Sequence, residues 1–198
     1  VWDAVCDARA QPYRRMRVWD AAGGEALCFD ADAFAVRQLG WIVEHGLLQD
    51  RLWAAMRRSN VIVRCPARVV ALEQQEDGAT LELDDGLRVD ARIAIAADGG
   101  RSTLRELAGI GADTEDYGQQ GVVAYVATAH PHEDTAWQRF LPTGPLAFLP
   151  CAPWPDAPHV SSIVWTMPDA EAARVVALDD AAFAEELTRA FASRLGDC

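Results

Sequence analysis

Asp98, Gly99, Ser102 and Arg105 stand within eight residues of one another, directly behind the apolar run at 93–97. An Asp that closes a strand puts a carboxylate at the carboxyl edge of a sheet, where nucleotides bind in open α/β folds. Such a carboxylate accepts hydrogen bonds from ribose hydroxyls. Gly99 would let backbone come close to a ligand, and a helix start with Arg105 behind it would favour phosphate. The same four residues also suit a helix cap and a turn with no ligand, and the local sequence leaves both readings open. His130 and His132 lie one residue apart without a certain third ligand, so a surface turn is preferred to a metal site. Arg14, Arg15 and Arg17 could gather an anion, but a solvated strand edge is the simpler reading. Cys6, Cys28, Cys65, Cys151 and Cys198 are scattered without a CxxC pair and read as free or buried thiols. No residue is assigned a catalytic acid, base or nucleophile, and none a metal.

Composition narrows the partners. Thirty acids oppose 18 bases, every base is Arg, and the formal net charge is −12. A field of that sign repels nucleic acid. Apolar residues make up 51% of the chain, enough for a sizeable core, and no charge-free run is long enough for a spanning helix.

Several elements must position these residues. Two strands are expected at 14–19 and 25–29, joined by Ala21-Ala22-Gly23-Gly24. A helix follows, with Leu47, Leu48, Leu52, Ala55 and Met56 on one side and Arg57 and Arg58 near its end. VIVRC, at 61–65, is a short buried-strand candidate. A meander turns at Glu76-Asp77-Gly78 and Asp84-Asp85-Gly86, and its last strand, 93–97, is apolar enough to be covered on both faces. Beyond Leu107 the texture changes to aromatic strands broken by Pro and Gly. Residues 122–126, 137–141 and 163–166 are expected in one mainly antiparallel sheet. Two helices close the chain, with Pro168 in the first turn of one and Asp179 or Asp180 capping the other. The fold class is α/β, α+β overall, divided into residues 1–110 and 111–198.

AADGGRSTLRELAGI resembles the second nucleotide-contact motif of the class A flavoprotein aromatic hydroxylases, of the p-hydroxybenzoate hydroxylase type. LGWIVEHGLL, DYGQQGVVAYVATAHPHEDTAWQRFLPTGPLAFLP and IVWTMP are similar to one branch, the ubiquinone-biosynthesis hydroxylases. His45 stands where that branch carries Asn. No GxGxxG occurs in the chain, and Gly196-Asp197 reads as a chance dipeptide rather than the family's later Gly-Asp motif. The chain, which does not begin with Met, reads as an internal piece of a longer enzyme: the end of a Rossmann-like FAD-binding domain plus most of a substrate-binding sheet.

The resemblance implies FAD as cofactor and NAD(P)H as reductant, with Asp98, Gly99, Ser102 and Arg105 as cofactor contacts. The flavin carries the hard oxygen chemistry while protein orients the ring and excludes water. A polyprenyl phenol or benzoquinol needs a long apolar pocket with a few polar groups, for which Tyr125, Gln138, Phe140, Phe148 and Trp165 are the candidates. Gln138 and Arg139 must face opposite ways along their strand. In the complete enzyme one sheet face would roof the flavin. The expected function is FAD-dependent ring hydroxylation in ubiquinone biosynthesis. The expected location is cytoplasmic, with peripheral contact at the inner membrane where such a substrate resides. Other ubiquinone-biosynthesis proteins and a second copy of the chain are the expected protein partners. Alone, the piece is expected to lose FAD and to be inactive. Two other readings stand beside this one: a non-catalytic lipid- or partner-binding module, and a plain NAD(P)-linked reductase, disfavoured by the missing dinucleotide fingerprint.

Overall fold

A computed structural model describes residues 1–198. The chain forms two compact units, one built from residues 1–58 with 116–198 and the other from residues 59–115. The first unit draws its strands from both sides of the division expected at 110/111.

In the first unit, α1 (Trp2–Cys6) precedes β1 (Gln11–Tyr13), β2 (Arg15–Asp20) and β3 (Leu27–Asp30). A short 3-10 turn (Ala31–Phe34), β4 (Gly40–Ile42) and α2 (His45–Arg57) follow. After the second unit come β8 (Gln119–Ala127), β9 (Thr135–Leu141), β10 (Gly144–Cys151), β11 (Val160–Pro168), α4 (Asp169–Val176) and α5 (Asp180–Ala190). Six strands make one sheet in the order β3-β2-β9-β10-β11-β8, antiparallel except where β2 runs parallel to β9. The three segments expected to share an antiparallel sheet therefore do so. β1 and β4 pair separately.

Alternation along these strands decides which face is covered. Leu146, Phe148, Ile163, Trp165 and Met167 point to one face and pack with Ala172, Val175 and Leu187 from the two closing helices and with Phe191 at the end of α5. Phe148 stacks on Phe191 with ring centroids 3.9 Å apart. Pro168 stands at the start of α4, and the Asp179 carboxylate accepts from the Ala182 amide at 2.8 Å, as a cap should. Arg174 joins the two helices by donating to Glu186 at 2.9 Å and to Glu171 at 3.0 Å. Between β9 and β10 the chain turns at Gly144, whose φ is +143°. A side chain there would strike the Thr166 carbonyl, so only glycine fits without a shift.

The helix expected after residue 44 is α2, but Leu48 and Leu52 on its apolar side remain exposed, and no residue of the helix is buried.

In the second unit, β5 (Val69–Gln75), β6 (Gly78–Leu83) and β7 (Arg88–Ala91) form the expected antiparallel meander. The helix α3 (Thr103–Leu107) follows. Two expected strands are absent. Residues 92–97 pair with nothing, and Ile93 and Ile95 are 78% and 81% exposed. Residues 61–65 are likewise irregular, with Ile62 87% exposed. Both runs carry the composition of strands buried on two faces, which needs neighbouring strands and a layer on each side. The sheet of this unit stops at β7 and supplies neither.

Candidate functional site

Asp98 follows the irregular apolar run and precedes α3 by a few residues. Its Oδ2 accepts from the Leu104 amide at 3.2 Å, and its Oδ1 accepts a short bond from the Ser102 hydroxyl. Ser102 is the buried N-cap of α3 and accepts from the Arg105 amide at 3.0 Å. The Ser102 hydroxyl first, and the Leu104 amide second, hold the Asp98 carboxyl below its ordinary pKa. The cap reading is therefore correct for both Asp98 and Ser102. The helix start expected to face phosphate is filled by these two side chains, and α3 has only five residues.

Capping does not exhaust the cluster. A carboxylate oxygen can take two hydrogen bonds, and Asp98 remains exposed. Arg105 donates through Nη1 to the Gly100 carbonyl at 3.0 Å, while its Nε is buried without a partner. Gly99 sits at φ +85° with no atom within 4 Å of where a Cβ would be. α3 lies between two clefts. One, of about 510 Å³, is lined by Gly99, Ser102 and Arg105 with Gln75 and Ile93; the other, of about 630 Å³, by Asp98, Leu104, Arg68 and Ile95. An acidic acceptor, a spare guanidinium donor and open backbone suit a ligand bearing both hydroxyls and phosphates, as FAD does.

The five pocket candidates divide between the two sheet faces. Cross-strand register places Gln138 beside Ala147, then Val164, then Val123. The same face carries Tyr125 beside Ser162 and Phe140 beside Pro145. Tyr125 and Phe140 are 46% and 42% exposed, and Tyr125 meets the Trp154 ring at 5.4 Å. Phe148 and Trp165 point the other way, into the core beneath α4 and α5. They cannot line a cavity with the other three, because alternate positions of a strand face opposite sides. Arg139 faces the helices and donates to the Ala190 carbonyl at 2.7 Å, so of the two neighbours Gln138 is the one on the open face. Sequence reading missed Val123 and Val164 on that face. The two-residue spacing of Val123 from Tyr125, both in β8, is the signal that could have found Val123.

His132 is held in its turn: its Nε2 meets the Cys151 carbonyl at 3.1 Å, and its Nδ1 accepts from the Asp134 amide at 3.1 Å. Arg14 pairs with Asp32 at 2.5 Å.

Solved structures share this mixed α/β fold. PqsL of Pseudomonas aeruginosa superposes with a TM-score of 0.72 at 20% identity, over 97% of this chain and 55% of that one. HpxO of Klebsiella pneumoniae, crystallised with FAD and uric acid, gives 0.65 at 22% identity, over 96% and 48%. The family model for an FAD binding domain matches residues 37–197, and the chain belongs to that family. It is 35% identical to the 3-demethoxyubiquinol 3-hydroxylase of Escherichia coli over 99% of this chain and 49% of that protein. It is 37% identical to the ubiquinone hydroxylase UbiL of Rhodospirillum rubrum over 99% and 44%. With the mitochondrial ubiquinone biosynthesis monooxygenase COQ6 of Xenopus tropicalis it shares 34% identity over 96% and 42%. The chain thus spans about half the length of the curated relatives it matches. No helix is long and apolar enough to cross a membrane.

Proposed function

We propose that this chain is part of an FAD-dependent monooxygenase that hydroxylates a polyprenyl phenol or benzoquinol ring in ubiquinone biosynthesis, using NAD(P)H and O2. The observation that carries the reading is the identity of 34–37% along nearly the whole chain to relatives named as ubiquinone hydroxylases or monooxygenases. When bound, FAD supplies the oxygen activation. Asp98 accepts from cofactor hydroxyls, Arg105 offers its spare donor to phosphate, and Gly99 leaves room for close approach. Ser102 is a positioning residue that fixes the Asp98 carboxylate. On the open sheet face Tyr125, Phe140 and Val123 give the apolar wall that a polyprenyl ring requires, and Gln138 supplies one polar contact. Hydride comes from NAD(P)H. The protein acts in the cytoplasm at the inner-membrane surface, beside other proteins of the same pathway and in contact with a second copy of itself. A polyprenyl substrate supports that location, and the exposed Ile93 and Ile95 support protein contact.

Those exposed side chains also favour a second reading, a non-catalytic lipid- or partner-binding module. One experiment separates the two. The intact protein containing this chain is incubated with FAD, NADPH or NADH, O2 and a short-chain polyprenyl phenol, and products are read by mass spectrometry. A product heavier by one oxygen atom, labelled when 18O2 is supplied, is the expected result. Substrate recovered unchanged, with no flavin-dependent NAD(P)H consumption, would leave the binding module standing instead.

A further inference from the structure

Trp137 carries two cations. The Arg194 guanidinium carbon lies 4.7 Å from the ring centroid and that of Arg17 lies 5.6 Å away. The guanidiniums of Arg17 and Arg194 make neither an ion pair nor a side-chain hydrogen bond, whereas Arg15 beside them pairs with Glu133.

The ring beneath them is fixed. Trp137 is buried, its indole Nε1 donates to the His132 carbonyl at 3.3 Å, and Trp19 meets it edge-on at 6.2 Å. A cleft of about 430 Å³ opens beside it, lined by Arg15, Arg17, His130, Glu133, Trp137 and Arg194 among others. Glu133, the cleft's acid, lies 3.4 Å from Arg15. With His130 neutral, three guanidiniums and one carboxylate leave the lining with a net charge of two positive.

Two guanidiniums drawn to one indole repel each other, and the ring quadrupole offsets only part of that repulsion. Both guanidinium carbons lie over the ring, and the guanidinium edges keep N–H donors without a hydrogen-bond partner. Such edges match the oxygens of a tetrahedral oxyanion, and a dianion balances the local charge.

We propose that Arg17 and Arg194 over Trp137, with Arg15 and His130 at the margin, form a binding site for a phosphate group. The phosphate is either that of a soluble monoester or free ion, or the headgroup of a phosphomonoester lipid. The site is built from residues of the first unit alone and needs no flavin.

Isothermal titration of the 198-residue chain with inorganic phosphate at low ionic strength tests it. One saturable site with a dissociation constant of about 1 mM is expected. Arg17→Gln and Arg194→Gln should each weaken binding about tenfold. Arg14→Gln, whose guanidinium belongs to the Asp32 pair, should bind as the unaltered chain does. Near-UV circular dichroism of each variant confirms that the Trp137 environment persists. In a second arm the chain is sedimented with phosphatidylcholine vesicles with and without phosphatidic acid. Sedimentation that requires phosphatidic acid, and is lost in the Arg17→Gln and Arg194→Gln variants, assigns the lipid headgroup. Phosphate binding without it assigns the soluble group. Absence of saturable binding in both arms overturns the proposal, as does binding that both variants retain in full. Neither assay contains FAD or substrate, so either outcome leaves the monooxygenase reading to its own test.

Discussion

Truncating Phe148 to alanine would remove a ring with 0% solvent exposure, stacked on Phe191 at 3.9 Å and flanked across the sheet by Trp137 and Ile163. Removing a fully buried Phe costs about 3–5 kcal/mol in lost transfer energy and cavity. The Phe191 pair supplies about 1 kcal/mol of that, so the expected loss is near the middle of the range, about 4 kcal/mol. Phe140 lies on the opposite face and is 42% exposed, so it keeps little more than half of the burial energy of such a ring. Its truncation should cost about 1–1.5 kcal/mol. The contrast is read by urea unfolding followed by tryptophan fluorescence. All seven tryptophans lie in residues 1–58 and 116–198, so the signal reports that unit alone. With a slope of about 2 kcal/mol per molar urea, Phe148→Ala should move the midpoint down by about 2 M and Phe140→Ala by less than about 0.8 M. Should Phe148→Ala fail to fold, Phe148→Leu serves, with an expected loss of about 1–1.5 kcal/mol. Equal shifts at the two positions would refute the assignment of faces, and with it the exclusion of Phe148 from the substrate wall.

Gly144→Ala should destabilise the same unit by more than about 2 kcal/mol, because the new methyl meets the Thr166 carbonyl at a φ that L-residues avoid; an unchanged urea midpoint would show that the turn relaxes freely. Asp98 has a depressed pKa, so its capping contribution is present in full above the unfolded-state pKa and is lost as pH falls through the lower folded value. Amide exchange at Leu104 should therefore accelerate on acidification through that window, and Asp98→Asn should flatten the profile. Exchange that does not respond to pH beyond the intrinsic rate in the unaltered chain would show that the carboxylate does not hold α3.

The sheet was legible because its signals are local. Alternation in YVATAH and AWQRFL, a Gly-bearing turn and aromatic content together fix strand identity. Asp179 was legible for the same reason, since a cap depends on its own next few residues. Residues 61–65 and 93–97 failed on a non-local condition. Their composition announces strands covered twice, but pairing is set by neighbours that the composition of a run cannot supply. Sidedness separated the pocket candidates. Tyr125 and Phe148 are both aromatic residues in aromatic strands, and only the register tells that α5 covers one and not the other. Arg194 beside Trp137 lay beyond any pattern, because the fold joins a C-terminal turn to the middle of a sheet. At Asp98 the cap reading does not exclude the ligand reading, since a carboxylate oxygen that serves the helix with one lone pair has another to offer.

Equilibrium titration of FAD into the 198-residue chain, with Asp98→Asn and Arg105→Gln variants alongside, asks directly whether these residues touch flavin. A few hydrogen bonds from Asp98, Gly99 and Arg105 must offset several kcal/mol of ordering in a large flexible ligand. Weak, saturable quenching of flavin fluorescence is expected, with a dissociation constant above about 10 μM and loss of the colour on desalting. Each variant should weaken that binding about five-fold or more. Stoichiometric yellow protein after desalting would place the binding energy elsewhere in the chain, and identical titrations for the variants and the unaltered chain would contradict a cofactor role for the Asp98 cluster.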